Sequence, residues 1–337
     1  MAGAHLTSGG SNGSAWRPTA SMQALATRAA LLATVRRHFA DRGVLEVETP
    51  IWSAAGVTDV HIESLTASAR GLGLSGFLST SPEFAMKRLL AAGSGDIYQI
   101  CRAFRDGERG RFHNPEFTLI EWYRIGFDIE LMMNDVETLL AAMLAPLRAS
   151  ATWQPAVRLS YREALRRHAG VDAFDDSIAM LQGALVERGV TIPDGLGTER
   201  DPWLDLIMST VVGPELGHGA LCFIHDYPAS QAALARLRPA DRETAERFEA
   251  YLDGIELANG FRELADAAEQ RRRFDADRSA RRSMGRESPP IDENLLAALA
   301  SGLPDCSGVA LGFDRVTMLA CGARSIDEVI AFAAERA

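Results

Sequence analysis

FEAYLDGIEL, residues 248–257, predicts a β-hairpin, because Asp253-Gly254 is the dipeptide that a two-residue type I′ turn prefers. That turn pairs Glu249 with Ala258 and puts Glu249 and Glu256 on one face, roughly 7–8 Å apart at Cβ. Two carboxylates at that spacing can hold a divalent ion, and oxygen ligands suit Mg²⁺ when phosphates supply the rest. Two solvated acids on an exposed sheet face are the competing interpretation.

The second strand of this hairpin continues into ANGFRE, residues 258–263. Strict alternation puts Asn259, Phe261 and Glu263 on the face opposite to the two acids. All of these side chains line one site only if a β-bulge near Ala258–Gly260 re-aims the chain.

Two further acidic residues lie at positions where an ionised carboxylate needs a partner or a specific role. Glu121 lies in the strand-like run Phe117–Tyr123, among Leu, Ile and Trp, where an ionised carboxylate is costly without a partner. Either a structural arginine or the ammonium group of a substrate would meet that need. Glu83 follows Thr80-Ser81-Pro82 in the first turn of a predicted helix, where an acid complements the helix dipole or serves the same site.

Two arginines, Arg105 and Arg315, come directly after the predicted strand Ile97–Phe104 and after the strand-like SGVALGF, residues 307–313. A guanidinium at a strand end or helix start suits phosphate, because it is bidentate and permanently charged. An ordinary surface ion pair is the alternative for each of them.

Hairpins and flanking helices indicate an α+β fold with an antiparallel β-sheet. Apolar spacing predicts a first helix over residues 21–39, and residues 128–245 mix helices with loops. Ser325-Ile-Asp-Glu328 predicts the capping box of a last helix. The basic residues 271–273 and 281–282 lie among acids in a helical stretch, which is typical of a solvated face.

The composition is ordinary for a soluble globular protein, with 337 residues of which 47% are hydrophobic and 24% charged. No apolar run approaches the roughly 20 residues of a membrane span, and the four scattered cysteines fit the cytoplasm. A net charge of −10 without a basic block argues against broad nucleic-acid binding. We expect residues 1–20 to form a flexible leader and residues 21–337 to form one catalytic domain.

Several segments, taken together, resemble the three motifs of class II aminoacyl-tRNA synthetases. The first helix and the strand that ends at Pro50 resemble motif one, FRDGERGRFHNPEFTLIEWY (104–123) motif two, and GVALGFDR (308–315) motif three. TSPEFAMKRL (80–89) and ELANGFREL (256–264) resemble the lysine-specific enzymes of that class. The resemblance runs from about residue 20 to the end of the chain. It implies the class II catalytic core, with a six- or seven-stranded antiparallel sheet flanked by helices, and a homodimer formed through motif one.

Lysyl-tRNA synthetases carry an oligonucleotide-binding domain of about a hundred residues before this core, whereas about twenty residues precede it here. The elongation factor P–(R)-β-lysine ligases have this shape, and DIYQICRAFRD (96–106) and GLPDCSGVALGFDRVTML (302–319) resemble them more closely. That resemblance implies ATP-dependent activation of (R)-β-lysine, or lysine, as an acyl-adenylate. Transfer to a lysine ε-amine of elongation factor P would follow, without anticodon-dependent tRNA binding. A minimal enzyme that activates α-lysine for tRNA or another acceptor is one alternative, and a non-catalytic synthetase-like regulator is another.

The resemblance also implies roles for matched positions. The catalytic residues would be Arg105 and Arg315, which grip the phosphates of ATP. The other ATP contacts would be Glu108, His113, Asn114, Phe117 and Glu249, with Phe117 stacked on the adenine. Glu249 and Glu256 would hold Mg²⁺. The substrate-binding residues would be Ser81, Glu83, Glu121, Tyr123, Asn259, Glu263 and Ala310.

Three positions depart from the lysyl-tRNA synthetase pattern. The FRxE motif of that family has a glutamate where this chain has Gly107, and Asp106 and Glu108 are the candidates to replace it. Ser81 stands where the synthetases tend to carry alanine, and Ala310 replaces a glycine of their turn. This pair predicts a pocket reshaped for (R)-β-lysine against the α-isomer. A helix cap at position 81 and a small strand residue at position 310 are the simpler interpretations.

Overall fold

The computed structural model describes residues 16–147 and 153–337 of the chain. Residues 1–15, which hold most of the expected leader, lie outside these ranges. Thr19 already belongs to the folded body, because its N–H donates to the carbonyl of Ala331 at 2.8 Å. Its hydroxyl donates to the carbonyl of Ile330 at 2.9 Å.

Strands and helices follow one another in short runs along the described chain. The α-helices are α1 (Met22–Ala40), α2 (Glu83–Ala91), α3 (Ile129–Leu144), α4 (Tyr161–Ala169), α5 (Ile178–Glu187), α6 (Asp201–Ile207), α7 (Ala267–Ser283), α8 (Glu293–Gly302) and α9 (Phe313–Cys321). The strands are β1 (Leu45–Glu46), β2 (Trp52–Ser53), β3 (Thr66–Ala69), β4 (Leu74–Leu78), β5 (Ile97–Phe104), β6 (Glu116–Ile125), β7 (Val157–Ser160), β8 (Cys222–Pro228), β9 (Leu237–Arg238), β10 (Asp241–Leu252), β11 (Ile255–Arg262) and β12 (Cys306–Gly312). Within the described ranges, none of the helices has both the length and the apolar character needed to cross a bilayer.

One large sheet carries the fold, with the strand order β1-β5-β6-β12-β11-β10-β8-β7 and with β9 paired to β10. The six neighbours from β5 to β8 run antiparallel, as the sequence predicted. β1 and β7 join the two edges in parallel, so the sheet is mixed and larger than the six or seven strands expected. β1 has two residues and β7 has four, too few for an alternation that a sequence can show. The α+β class is confirmed.

One face of the large sheet is packed against α1, α3 and α9. Phe39 of α1, Met132 of α3 and Phe313 of α9 are completely buried there. Trp122 of β6 is buried beside them, and its indole N–H donates to Asp135 at 3.2 Å, so the ring is covered while its polar group is paired. This core occupies one side of β6, β12, β11 and β10 and leaves the other side to line a cleft.

The chain ends in a shorter element than predicted. Ser325 and Glu328 form the expected capping box, with the Glu328 carboxylate accepting from the Ser325 N–H at 3.0 Å. The box closes only a 3₁₀ turn over Ile326–Glu328 and not a full helix. The predicted cap is confirmed, and the predicted helix is wrong, because only this single turn forms.

Candidate active site

A cleft of about 1300 Å³ opens on the free face of the sheet. Its walls come from β6, β10, β11 and β12, from α2 and from the loop of residues 53–62. The candidate residues that line it are Ser81, Glu83, Arg105, Glu108, His113, Asn114, Phe117, Glu121, Tyr123, Glu249, Glu256, Asn259, Glu263, Ala310 and Arg315. The sheet therefore brings together every site residue that the sequence suggested.

The turn of the hairpin β10–β11 is the predicted one. Asp253 and Gly254 have φ angles of 51° and 74°, both in the left-handed region that a type I′ turn requires. Leu252 pairs with Ile255, so the register next to the turn is also as expected.

The predicted pairing of Glu249 with Ala258 is wrong by one residue. A β-bulge at Leu257, which is 2% exposed in the core, makes Asn259 the partner of Glu249. The bulge lies one residue before the region where we expected it. It turns Asn259 to the same face as Glu249 and Glu256, so one face of the hairpin supplies the acids and the amide.

One end of the cleft, the arginine end, consists of Arg105, His113, Glu249, Glu256 and Arg315. Arg315 donates from Nη1 to the Glu256 carbonyl at 2.8 Å and lies 3.4 Å from the Glu256 carboxylate. Its Nη2 donates to Nε2 of His113 at 2.8 Å. Burial and the positive charge of Arg315 lower the pKa of His113, so the neutral imidazole accepts this hydrogen bond.

Arg105 is the second arginine that lines the cleft. Its guanidinium lies 5.1 Å from the centre of the Phe117 ring and 3.4 Å from the Glu108 carboxylate. The side chains of Arg105 and Arg315 are 28% and 21% exposed. Both arginines thus line the cleft with part of their charge accessible to a ligand.

Glu249 and Glu256 form the acid pair of the arginine end. Glu249 accepts from the Tyr251 hydroxyl at 2.6 Å and is ion-paired with Arg247. Burial and the charge of Glu249 raise the pKa of Glu256, so a bound cation would relieve a repulsion within the pair. The described part of the chain contains no group of three or more His, Cys, Asp or Glu side chains spaced for a metal ion. Two carboxylates nevertheless suffice for Mg²⁺ when phosphates complete its shell, so this donor set fits that ion.

Asn114 holds the loop between β5 and β6 through its side-chain amide. Its Nδ2 donates to the carbonyl of Glu116 at 2.7 Å, and its Oδ1 accepts from the N–H of Ala334 at 3.2 Å. Both ends of the amide are therefore bonded to backbone. Any contribution of Asn114 to nucleotide binding acts through the position of this loop.

Gly107 occupies the position of the missing FRxE glutamate. Its φ of 75° is left-handed, a conformation that costs a residue with a side chain about 1–2 kcal/mol. Asp106 accepts from the Gly107 N–H at 2.8 Å and is not part of the cleft wall, whereas Glu108 is. Of the two candidates to replace the glutamate, Glu108 is the one that lines the cleft.

The other end of the cleft is an acid corner, formed by Glu83, Glu121 and Glu263 with Lys87 beneath them. The hydroxyls of Ser81 and Tyr123 donate to the two oxygens of Glu121 at 2.6 and 2.8 Å. Hydroxyl groups, and not the structural arginine considered from the sequence, therefore meet this carboxylate. Burial, reinforced by the charge of Glu83, raises the pKa of Glu121 to about 8. The raised pKa favours the protonated acid, and a nearby cation would favour its ionised form.

Ser81 and Ala310 lie on either side of Glu121. Ser81 also accepts from the N–H of Glu83 at 3.1 Å, so it serves the start of α2 and the acid corner together. Ala310 pairs with Asn259 on β11 and with Glu121 on β6. Because cross-strand partners share a face, the Ala310 methyl lies on the cleft floor between the amide and the carboxylate.

Lys87 is a residue of the site that sequence reasoning missed. Its ammonium lies 2.6 Å from the carboxylate of Glu83 and 2.6 Å from that of Glu263, and the residue is 1% exposed. The sequence contained one sign of this, the i,i+4 spacing of Glu83 and Lys87 on α2. The contact with Glu263 of the β11 segment exists only in the folded chain.

The prediction of a solvated basic face on α7 is wrong for Arg281. This residue is 2% exposed and donates to the carbonyls of Asp59 at 2.6 Å and Ile62 at 3.1 Å. It is also ion-paired with Glu63. A guanidinium has five N–H donors, so one side chain can hold several points of the loop that forms a wall of the cleft.

Comparison with known proteins agrees with this geometry. The chain matches the family model described as tRNA synthetases class II (D, K and N) over residues 14–336. A protein of Sodalis glossinidius (strain morsitans) named elongation factor P–(R)-β-lysine ligase is 48% identical over 331 residues, which cover 97% of this chain and 100% of that protein. A protein of the same name from Klebsiella pneumoniae is 49% identical over 326 residues, 96% of this chain and 98% of that protein.

Proposed function

This chain belongs to the class II tRNA synthetase family, in its D, K and N group, and we propose that it is an ATP-dependent ligase that joins (R)-β-lysine to elongation factor P. Relatives with this name match nearly the whole chain over nearly their whole length. The observation that carries the proposal is the single cleft, with two accessible arginines beside an acid pair at one end and a buried acid corner at the other. A triphosphate suits the first end, and an acid with ammonium groups suits the second.

The arginine end accounts for the binding of ATP in this proposal. Arg105 and Arg315 would grip the phosphates, and Phe117 would stack on the adenine. Glu108 and His113 would contact the nucleotide beside them. Glu249 and Glu256 would hold Mg²⁺, which supplies positive charge to the phosphates when bound.

The acid corner accounts for the binding of the amino acid. Glu83, Glu121 and Glu263 would meet its ammonium groups, and Asn259 and Tyr123 would flank it. The carboxylate of the substrate then attacks the α-phosphorus of ATP, the bond to the β-phosphate breaks, and pyrophosphate leaves. The neutral ε-amine of an acceptor lysine next attacks the carbonyl carbon, and AMP and one proton leave. The chain supplies position and charge and needs no nucleophile of its own.

The proposal also includes a homodimer, a cytoplasmic location and no anticodon-dependent tRNA binding. Met22 of α1 and Leu45 of β1 support the dimer, because they are 66% and 55% exposed and an interface would cover them. Light scattering after gel filtration checks this, and a monomer would contradict it. The names of the relatives include elongation factor P, and a translation factor as acceptor supports the cytoplasmic location.

The intact mass of purified elongation factor P tests the proposed function. Incubation with this enzyme, ATP and (R)-β-lysine should add the mass of one lysyl group to the factor, and α-lysine should do so more slowly. Charging of lysine tRNA in the same buffer should be negligible by comparison. Efficient tRNA charging with an unchanged factor would instead support the minimal synthetase.

A further inference from the structure

Lys87 is the only lysine among the 35 Lys and Arg residues of the chain. It is 1% exposed, and its Nζ lies 2.6 Å from Oε1 of Glu83 and 2.6 Å from Oε2 of Glu263. A buried ammonium is tolerated only when it is paired this closely. A compact point charge suits a position between two carboxylates better than a planar guanidinium does. Lys87 does not line the cleft, so it acts on a ligand only through the two glutamates.

The charge balance of the acid corner depends on this ammonium. The corner combines three carboxylates with one ammonium: Glu83, Glu121, Glu263 and Lys87. When all four groups are ionised, two negative charges remain. Neighbouring buried carboxylates resist joint ionisation, and one of them usually takes up a proton. The phenol of Tyr123 and the thiol of Cys306 also face these charges, and both stay neutral because burial raises the pKa of each.

We propose that Lys87 is a positioning residue, which holds Glu83 and Glu263 in place and favours the ionised form of Glu263, so that the acid corner accepts a substrate with two ammonium groups. This inference rests on the proposed function, because (R)-β-lysine carries two ammonium groups and one carboxylate. Lys87 occupies one oxygen of Glu83 and leaves the other for the substrate. The net charge of the corner then matches the two cations that enter it.

Replacing Lys87 with Met removes the charge and keeps an unbranched side chain that is one atom shorter. Burial already raises the pKa of Glu263 to about 7 against the opposing charge of Lys87, so without that charge Glu263 takes up a proton, which the substrate has to expel on binding. We expect KM for (R)-β-lysine in ATP–pyrophosphate exchange to rise about 100-fold near pH 7, with kcat and KM for ATP within about threefold of wild type. The rise should shrink toward about pH 9, because the extra proton then leaves before the substrate arrives. A KM that rises equally at both pH values overturns the proposal.

Arg124→Met is the matched control. Arg124 also lies buried between two carboxylates, those of Asp96 and Asp135, but outside the cleft. Its loss should leave KM for (R)-β-lysine and the pH dependence of KM unchanged. Lys87→Arg, which keeps the charge, should bind (R)-β-lysine about tenfold better than Lys87→Met. An equal loss in both Lys87 variants would indicate a role in packing and overturn the proposal.

The number of protons released on binding gives a readout that packing does not change. Calorimetry of (R)-β-lysine binding in buffers of different ionisation enthalpy counts these protons. Lys87→Met should release more protons than wild type near pH 7, by less than one because Glu263 is already partly protonated in the wild type. Equal counts in the two proteins overturn the proposal.

A single lysine also permits a test on the wild-type protein, which decides the matter if Lys87→Met does not fold. Labelling with ¹⁵N-lysine gives one side-chain Nζ resonance, from Lys87. It should remain that of a protonated ammonium at about pH 10.5, where half of an ordinary lysine is deprotonated. Titration in the ordinary range overturns the proposal. This measurement needs no turnover, so a wild type that fails to activate (R)-β-lysine contradicts the proposed function alone.

Discussion

At the arginine end of the cleft, the side chains of Arg105 and Arg315 are 28% and 21% exposed, whereas in the acid corner those of Lys87 and Glu263 are 1% exposed. Charges that water reaches can exchange a protein partner for a ligand at little cost. Buried charges have to stay paired in every state, because an isolated buried ion costs several kcal/mol. The arginine end is therefore suited to a ligand with many negative charges. The acid corner is suited to a ligand whose positive charges neutralise the excess of carboxylates.

Glu256→Gln should produce the largest effect, and it acts at the arginine end. The amide keeps the shape of the side chain and removes one of the two charges of the acid pair. We expect ATP–pyrophosphate exchange to fall about 100-fold or more, the size typical of lost electrostatic stabilisation in a transition state. The unfolding temperature should stay the same or rise slightly, because burial and the charge of Glu249 already oppose the ionised form of Glu256.

Glu246→Gln serves as the control for this variant. Glu246 lies on the same strand, β10, and is 7% exposed, but it pairs with Arg236 and is not part of the cleft wall. Its replacement should leave the exchange rate unchanged. A near-normal rate of ATP–pyrophosphate exchange in Glu256→Gln would show that Glu256 does not hold Mg²⁺. The arginine end would then depend less on its acid pair than we propose.

Glu121→Gln sharpens the comparison through the pH dependence of stability. Burial first, and the charge of Glu83 second, raise the pKa of Glu121 from 4.5 to about 8 in the folded protein. Between these values the folded chain holds a proton that the unfolded chain has released. The stability of the wild type therefore falls as pH rises through this window. The free energy of unfolding of Glu121→Gln, relative to wild type, should rise over the same window by a few kcal/mol at most.

Urea unfolding at about pH 5, 7 and 9 measures that difference. The expected sign is opposite to that of a carboxylate whose pKa is lowered by a cation, for which removal costs more at higher pH. A difference that stays constant, or that falls as pH rises, would mean that Glu121 is ionised in the free protein. The acid corner would then carry the charge of Glu121 without a ligand.

The arginine end was the easier part to predict from the sequence, because its features follow from local rules. The turn at Asp253-Gly254 follows from the preference of a two-residue hairpin, and each arginine follows a strand-like run of the sequence. The predicted pairing failed only where the bulge at Leu257 intervened, since a bulge depends on which side chain the core accepts. The resemblance to synthetases supplied the roles, and the geometry then brought the residues into one cleft.

The acid corner was harder to predict, because its contacts join distant segments. Lys87 on α2 meets Glu263 after β11, and Arg281 on α7 holds the loop at Asp59 and Ile62. In the sequence Arg281 stands among charges that suggest an ordinary exposed helix face, and Lys87 has no neighbour that identifies Glu263 as its partner. Only the folded chain shows that they are buried, and burial is what gives each of them its role.

Ala310→Gly should produce the smallest effect, and it tests the floor of the acid corner without changing its charges. Moving an amine from the α- to the β-carbon keeps both ammonium groups and shifts one of them by a bond, and an imperfectly paired ammonium costs about 1–3 kcal/mol. The Ala310 methyl lies between Asn259 and Glu121, where it would oppose the α-isomer. We expect wild type to prefer (R)-β-lysine in kcat/KM and Ala310→Gly to narrow that preference by about tenfold or less.

Ala250→Gly is the control for this last variant. Ala250 belongs to the same sheet, but its methyl is buried in the core, on the face that points away from the cleft. Ala250→Gly should lower the unfolding temperature and leave the ratio of kcat/KM for (R)-β-lysine to kcat/KM for α-lysine unchanged. Ala310→Gly should change that ratio and leave KM for ATP unchanged. A wild type that prefers α-lysine, or a ratio that Ala310→Gly does not alter, would show that the methyl has no part in selecting the isomer. The acid corner would then select by charge alone, and the assignment as a ligase would still stand on the transfer to elongation factor P.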